Sequence, residues 1–181
     1  MSYLIGIDVG TTGTKTILVD ENGHQQASAL EEYPLHTPQP KWAEQDPEDW
    51  WQATIKTIKT VVAESGVDKT AIKGIGLSGQ MHGLVVMDKT HRVLRPSILW
   101  CDVRTTDQCH YITETIGRDL LLQSTCNPAL EGFTAPKVIW LREHEPEIYQ
   151  QTSTMFLPKD YIRFRLTGEV AMEVSDAAGT L

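Results

Sequence analysis

The stretch from Asp8 to Lys15 has residue types and a spacing that suit a site for a phosphate group. It reads Asp-Val-Gly-Thr-Thr-Gly-Thr-Lys. Gly10 and Gly13 permit a tight turn and a close approach of the backbone to an anion, while the threonine hydroxyls and amides can donate hydrogen bonds. The Asp8 carboxylate can hold Mg²⁺ directly or through water. The stretch therefore predicts a turn that binds a metal-bound phosphate.

This stretch does not match the common nucleotide-binding motifs that open a helix. Only two residues separate Gly10 from Gly13, and the pattern G-x-G-x-x-G is absent. Strand-type residues follow the turn, so we expect a β-hairpin to cradle the phosphate; a tight hairpin without a ligand remains the alternative. The candidate phosphate contacts are Gly10, Thr11, Thr12, Gly13, Thr14 and Lys15. Lys15 is equally compatible with a solvated lysine on an edge strand.

A meander of three strands must position this turn. The apolar run 3–9 ends at it, a second strand covers 14–19, and the turn 20–23 contains an Asn-Gly pair that suits a hairpin. A more polar third strand extends to about Tyr33 and is predicted to lie at a sheet edge.

A helix and further strands follow. Asp46 and Pro47 are typical of a helix start and Gly66 of its end. An apolar face is predicted from the spacing of four residues, Trp51, Ile55, Ile58 and Val62. Strands are then expected at 72–77, up to Met87, and at 97–100.

The second half of the chain is predicted to be mainly helical. The expected helices cover 103–116, 118–123, 135–142 with Thr134 as N-cap, 146–151 and 159–166, with a short strand near 155–157. Alternating helices and strands after a meander predict an α/β fold with a mixed sheet, in the order β-β-β-α-β-α-β.

Length and composition indicate one globular domain in a cytoplasmic protein. The chain has 181 residues, 40% of them hydrophobic, and its 16 basic and 24 acidic residues give a net charge of −8. This balance argues against nucleic-acid or anionic-membrane partners. The three cysteines form no C-x-x-C pattern, which predicts neither a disulfide framework nor a zinc site. The N-terminus does not read as a signal peptide, and no apolar run approaches a membrane span.

Several segments, taken in order, resemble the FGGY carbohydrate kinases and, within them, the xylulokinases. Residues 5–12 resemble the first phosphate motif of the actin/Hsp70/hexokinase superfamily, whose fold is a ribonuclease-H-like mixed sheet with flanking helices. The other matching segments are 42–51, 79–83, 99–105, 132–137, 157–161, 166–169 and 175–180. The resemblance implies that residues 1–181 form most of the first of two domains, without the second.

The resemblance also implies a reaction. The γ-phosphoryl group of ATP, with Mg²⁺, would pass to a hydroxyl of D-xylulose and give xylulose 5-phosphate in pentose catabolism, in a longer enzyme that forms a homodimer. Asp8 would act near the metal and the transferring phosphoryl group, as catalytic and metal-binding residue. The general base and the adenosine pocket would lie beyond Leu181, so we expect this chain alone to be inactive.

By the same resemblance, two segments form the sugar side of the site. Gln80, Met81 and His82 suit a polyol, because an imidazole and an amide can bond hydroxyls while a methionine covers the carbon skeleton. Trp100 would stack on the ketose and Asp102 would accept from its hydroxyls, with Arg104 in the same wall. A packed His82, and structural packing of Trp100 and Asp102, are the alternatives.

Two other functions compete with this interpretation. The chain could belong to a kinase of another sugar, such as ribulose or gluconate. It could instead be a non-catalytic nucleotide-binding module, although the two sugar-side segments would then have no evident use. Glycerol kinases carry an Arg-Glu pair in this region, so the sequence Gln80-Met81-His82 speaks against glycerol.

Overall fold

The computed structural model describes residues 1–181 as two small sheets and one larger sheet with flanking helices. The strands are β1 (Tyr3–Val9), β2 (Gly13–Asp20), β3 (Gln25–Glu32), β4 (Glu44–Gln45), β5 (Ile72–Gly79), β6 (Val85–Met87), β7 (Ser97–Ile98) and β8 (Thr154–Phe156). The helices are α1 (Pro47–Ser65), α2 (Thr106–Ile116), α3 (Arg118–Thr125), α4 (Thr134–His144), α5 (Pro146–Gln151), α6 (Pro158–Thr167) and α7 (Val174–Ala177). Two 3₁₀ turns cover Lys69–Ala71 and Ala178–Thr180.

The larger sheet has the strand order β3-β2-β1-β5. β1, β2 and β3 form the predicted antiparallel meander, and β3 lies at the edge as predicted. β5 pairs in parallel with β1, so the sheet is mixed. Because β1 and β5 run in the same direction, their carboxyl ends meet at one edge of the sheet, where α/β proteins commonly bind ligands.

Helix α1 packs against β2 and β3 with local signals that the sequence predicted. The Asp46 side chain accepts from the Glu48 amide at 2.9 Å, Pro47 occupies the first turn, and Gly66 ends the helix in the left-handed region at φ 64°. The first turn carries acidic residues, which the helix dipole favours.

The predicted apolar face of α1 is displaced from the face that is most buried. The buried residues are Pro47, Trp50, Ala53, Thr54, Thr57 and Val61, whereas the predicted set, Trp51, Ile55, Ile58 and Val62, is only partly buried. Two buried threonines explain the displacement, because their hydroxyls bond carbonyls four residues earlier in the helix. Thr57 Oγ1 also lies 2.7 Å from Thr16 Oγ1 of β2. The spacing of apolar residues in the sequence does not identify a buried helix face that contains threonines.

Removal of the α1 cap tests this local account. We expect Asp46→Ala to lower the free energy of unfolding by about 1 kcal/mol, because the Glu48 amide loses its acceptor. Urea titration measures the change. Glu64→Ala, an exposed acidic site in the last turn, is the control and should change stability by less than about 0.5 kcal/mol. An equal loss in both variants would contradict a capping role.

The second half is helical, as predicted, with two small sheets that pair β4 with β7 and β6 with β8. β4 was not predicted. α4 begins at Thr134, with Phe133 at the cap position and no side-chain cap, so the prediction of Thr134 as N-cap is wrong. The Thr134 hydroxyl instead donates to the His82 carbonyl oxygen at 3.1 Å. None of the helices combines the length and the apolar composition that crossing a membrane requires.

Candidate active site

The turn between β1 and β2 leaves two backbone donors free. The Gly10 amide donates to the Gly13 carbonyl at 3.0 Å and closes the turn, while the amides of Thr11 and Thr12 donate to no group of the chain. A Cβ atom on Gly13 would lie 2.6 Å from the Glu31 carbonyl oxygen, so the approach of β3 requires glycine there. A tight turn with unpaired amides is an arrangement that binds anions.

Asp8 and Lys15 lie side by side on the open face of the sheet. They are directly opposed in the β1–β2 register, and Ser78 is the neighbour of Asp8 on β5. All three are exposed and line a depression of about 500 Å³. β2 is an internal strand, so Lys15 is not on a sheet edge. The depression therefore offers a carboxylate, an ammonium and a hydroxyl beside the turn.

This donor set fits Mg²⁺ only together with a nucleotide. No group of three or more His, Cys, Asp or Glu side chains that could hold a metal is present. Mg²⁺ is usually bound by one or two carboxylates with phosphate oxygens and water completing its six ligands. The exposed Asp8 carboxylate can supply one such ligand directly or through water.

Thr14 faces the opposite side of the sheet from Lys15. Its side chain is fully buried and its hydroxyl donates to the Tyr33 hydroxyl at 3.4 Å, so the prediction that this side chain lines the phosphates is corrected. Tyr33 in turn donates to the Gly10 carbonyl oxygen at 2.6 Å. Burial raises the pKa of Tyr33 to about 12, which keeps the hydroxyl protonated as a donor to the turn.

Gln80 holds the turn between β1 and β2 through hydrogen bonds and is not accessible to a sugar. It is buried; its amide nitrogen donates to the Gln45 side-chain oxygen at 3.1 Å and to the Gly10 carbonyl at 3.4 Å. Gln45 donates to the Thr11 carbonyl at 2.7 Å and accepts from the Trp50 indole at 3.0 Å. The predicted sugar contact of Gln80 is therefore corrected to a support. Gln45 was missed, because nothing in its spacing marks it.

Trp100 links the turn between β1 and β2 to the predicted sugar side of the site. Its indole nitrogen donates to Thr11 Oγ1 at 2.9 Å, although the two residues are far apart in sequence. Trp100 is 41% exposed and Met81 49% exposed, which is unusual for such large apolar side chains. Both can therefore offer apolar surface to a ligand beside the turn.

Asp102 and Arg104 form a buried ion pair rather than a sugar wall. Both side chains are inaccessible, and Arg104 Nη2 lies 2.7 Å from Asp102 Oδ2 and 2.7 Å from Glu44 Oε1. Asp102 Oδ2 also accepts from the Ala43 amide at 2.7 Å. The guanidinium carbon of Arg104 lies 3.7 Å from the centroid of a Trp42 ring. The predicted substrate contacts of Asp102 and Arg104 are corrected, because both side chains are buried and a ligand cannot reach them.

His82 lies in a strained loop that a buried lysine holds. Its backbone is in the left-handed region at φ 60°, where residues other than glycine are uncommon. Its carbonyl accepts from Lys137 Nζ at 3.4 Å, and the same ammonium donates to the carbonyls of Glu131 at 3.2 Å, Gly132, and Phe133 at 2.9 Å. Lys137 is fully buried, and no role was predicted for it from the sequence. Its position among buried residues of a helix could have indicated one, because lysine is rarely fully buried.

The electrostatic surroundings keep His82 neutral at pH 7. Burial, followed by the charge of Lys137, lowers the pKa of the imidazole below its ordinary value of 6.5, although Asp176 and the Gly179 backbone act in the other direction. Burial also lowers the pKa of Lys137 to about 7. A neutral imidazole can exchange hydrogen bonds with a hydroxyl without adding charge to the site.

Five predicted side chains thus lie on strands or loops that adjoin the turn between β1 and β2. Asp8 and Lys15 occupy the sheet face, Trp100 contacts the turn, and Met81 and His82 follow the carboxyl end of β5. Asp8 and Lys15 supply charged groups, whereas Trp100, Met81 and His82 supply apolar and hydroxyl-binding groups. This arrangement suits a phosphate next to a polyhydroxylated molecule.

Comparisons with known proteins agree with this geometry. Residues 3–181 match the N-terminal domain of the FGGY family of carbohydrate kinases. A xylulose kinase from Bacillus subtilis is 52% identical over the whole chain, which spans 36% of that relative. Among solved structures, a xyloylose kinase from Brucella ovis superposes with a TM-score of 0.93 at 40% identity, covering 98% of this chain and 37% of that one. A gluconate kinase from Lactobacillus acidophilus has a TM-score of 0.91 at 32% identity, with 99% and 36% coverage.

The chain belongs to the FGGY family of carbohydrate kinases. The predicted fold class is confirmed: a mixed α/β sheet with flanking helices, as in the N-terminal domain of these kinases and the actin/Hsp70/hexokinase superfamily. The chain spans little more than a third of the length of the curated relatives that it matches.

Proposed function

We propose that this chain supplies the N-terminal domain of a kinase that transfers the γ-phosphoryl group of MgATP to a hydroxyl of D-xylulose. The observation that supports the proposal is the hydrogen bond from the Trp100 indole to Thr11 Oγ1, because it joins a partly exposed indole, the proposed sugar contact, to the turn whose free amides are the proposed phosphate contacts. The identity of 52% to a xylulose kinase supports the choice of sugar.

In the proposed reaction, the sugar hydroxyl oxygen forms a bond to the γ-phosphorus while the bond from that phosphorus to the bridging oxygen of ADP breaks. Such transfer depends on positioning and on stabilising charge. The free amides of Thr11 and Thr12 hold phosphate oxygens, and the Lys15 ammonium offsets negative charge on the sheet face. Bound Mg²⁺ would neutralise charge on the phosphates, with Asp8 as its protein ligand.

The sugar lies against Met81 and Trp100, and His82 bonds one of its hydroxyls. The base that accepts the hydroxyl proton is assigned to the second domain of the enzyme, together with the adenosine pocket and most other nucleotide contacts. The proposal includes a homodimer of the two-domain enzyme.

Substitution of Asp8 tests the reaction. We expect Asp8→Asn in the full-length enzyme to lower kcat for xylulose by about 100-fold or more, because the depression beside the turn loses the only carboxylate that lines it. A coupled assay of ADP release measures it. Asp107→Asn, which removes an exposed carboxylate on α2, is the matched control and should leave kcat unchanged.

The choice of sugar is tested with the same assay. Xylulose should give a higher kcat/KM than ribulose or gluconate. A preference for gluconate would overturn the substrate while leaving the kinase class intact, and this alternative is motivated by the gluconate kinase of similar structure. Calorimetry that detects ATP but no effect of any sugar would favour a non-catalytic nucleotide-binding module.

A further inference from the structure

The His82 backbone and one edge of its ring are fixed by contacts from α4 and the loop before it. The His82 carbonyl accepts from Thr134 at 3.1 Å and from Lys137 at 3.4 Å. The ring meets Phe133 edge to face, with the centroids 4.9 Å apart and an interplanar angle of 82°. These contacts hold the loop and one side of the imidazole, whereas another side of the ring is contacted by a different segment.

The backbone of Gly179, which carries no side chain, packs against that side of the ring. A Cβ atom on Gly179 would lie 2.4 Å from His82 Cε1 and 2.8 Å from Nδ1, which is closer than any side-chain carbon can approach. Gly179 does not adopt a positive φ, so its backbone conformation does not itself require glycine. The space beside the imidazole is therefore the reason for the missing side chain.

The two ring nitrogens consequently have different surroundings. Nδ1 is buried and has no hydrogen-bond partner. Nε2 lies farther from the Gly179 side of the ring than Nδ1 and is not fully buried, so it is the ring nitrogen open to a ligand. The charged groups that face the ring are Lys137 from α4 and Asp176 from α7.

We propose that Gly179 is a positioning residue that fixes the rotation of the His82 imidazole and directs Nε2 toward the sugar. The relation to the sugar rests on the proposed function, whereas the effect on the ring does not. Any side chain at position 179 displaces the imidazole from Phe133 and turns its accessible nitrogen away. The segment that follows α6 thereby completes a site whose other residues lie far earlier in the chain.

The test is Gly179→Ala in the full-length enzyme labelled with ¹³C-histidine. The His82 Cε1–H resonance is assigned by its loss in His82→Asn and is followed across pH without sugar. In the wild type we expect the pKa of His82 below its ordinary value. In Gly179→Ala the resonance should shift, and the pKa should move upward toward 6.5 as the ring gains solvent. The KM for xylulose should rise about tenfold, with the KM for ATP within twofold.

Gly74→Ala is the matched control, because a Cβ there would make an ordinary contact of 3.5 Å with Leu4. It should change neither the resonance nor the KM. If Gly179→Ala does not fold, Phe133→Leu/Gly179→Ala gives the ring room to retreat and should show the same shift. A folded alanine variant with an unchanged His82 resonance overturns the inference. A shifted resonance in an enzyme that does not use xylulose supports the positioning role and contradicts the proposed function.

Discussion

Lys137→Met should lower the free energy of unfolding by about 3–5 kcal/mol, although the replacement has nearly the same volume. Four backbone carbonyls lose their common donor. Those of His82 and Glu131 keep a threonine hydroxyl as a second donor, and each buried acceptor that is left without a partner costs about 1–3 kcal/mol. Urea or thermal unfolding of the wild type and the variant measures the loss. The large effect follows from one side chain that ties the 131–133 loop to His82.

The penalty of Lys137→Met should also depend on pH. Burial lowers the folded pKa of Lys137 to about 7 from an ordinary value of 10.5. Between these values the unfolded chain binds more protons at this site than the folded chain, so the stability that the lysine contributes increases as the pH rises. The difference between wild type and variant should therefore be larger at pH 9 than at pH 7.

Lys73→Met is the control, since Lys73 is an exposed lysine with a single carbonyl partner. It should change stability by less than about 0.5 kcal/mol at either pH. A loss below about 1 kcal/mol in Lys137→Met would show that Lys137 does not hold the loop. A loss that is equal at both pH values would show that burial does not lower the pKa of Lys137.

Arg104→Met should cost about 3–5 kcal/mol of stability, because the Asp102 carboxylate stays buried without its partner. The side chain of Arg104 also covers Trp42, and that contact is lost with the charge. Arg104→Lys should recover only part of the loss, since an ammonium cannot bridge Asp102 and Glu44 in the same planar geometry. Chemical denaturation of the three proteins gives the comparison.

The matched control removes an exposed ion pair. Lys56 and Glu31 lie 2.6 Å apart at the surface, and Lys56→Met should cost less than about 1 kcal/mol. The double variant Asp102→Leu/Arg104→Met should lose less stability than the sum of its single variants, because the pair acts as a unit. If Arg104→Met weakened sugar binding and left stability intact, the original prediction of a sugar wall would be restored.

The sequence predicted well what depends on neighbouring residues. Asp8, Gly10 and Gly13 lie within one hairpin, so their spacing alone determines that they meet at a turn. The cap at Asp46 and the end at Gly66 are likewise set within a few residues. Such local signals located the turn between β1 and β2 and the main helix correctly.

The errors concern side chains whose partners are distant in the sequence. Asp102 is buried because Ala43 and Glu44 lie against its loop. The side chain of Gln80 is occupied because it bonds that of Gln45 in β4. Residue type suggested that these groups could bind hydroxyls, but only tertiary packing shows that their hydrogen bonds are already used. The same limitation concealed the contact of Gly179 with His82, since no local pattern relates the two.

The pairing of β1 with β5 also bears on how the chain assembles. The meander and α1 contain contacts of short sequence separation and can form once the chain up to Ser65 is available. Strand β5 must then close a much longer loop onto β1, and contacts of high sequence separation slow folding because chain entropy is lost before they form. The closure of Gly179 on His82 is longer still. During synthesis from the N-terminus, the turn between β1 and β2 can therefore form well before the His82 imidazole acquires its final orientation.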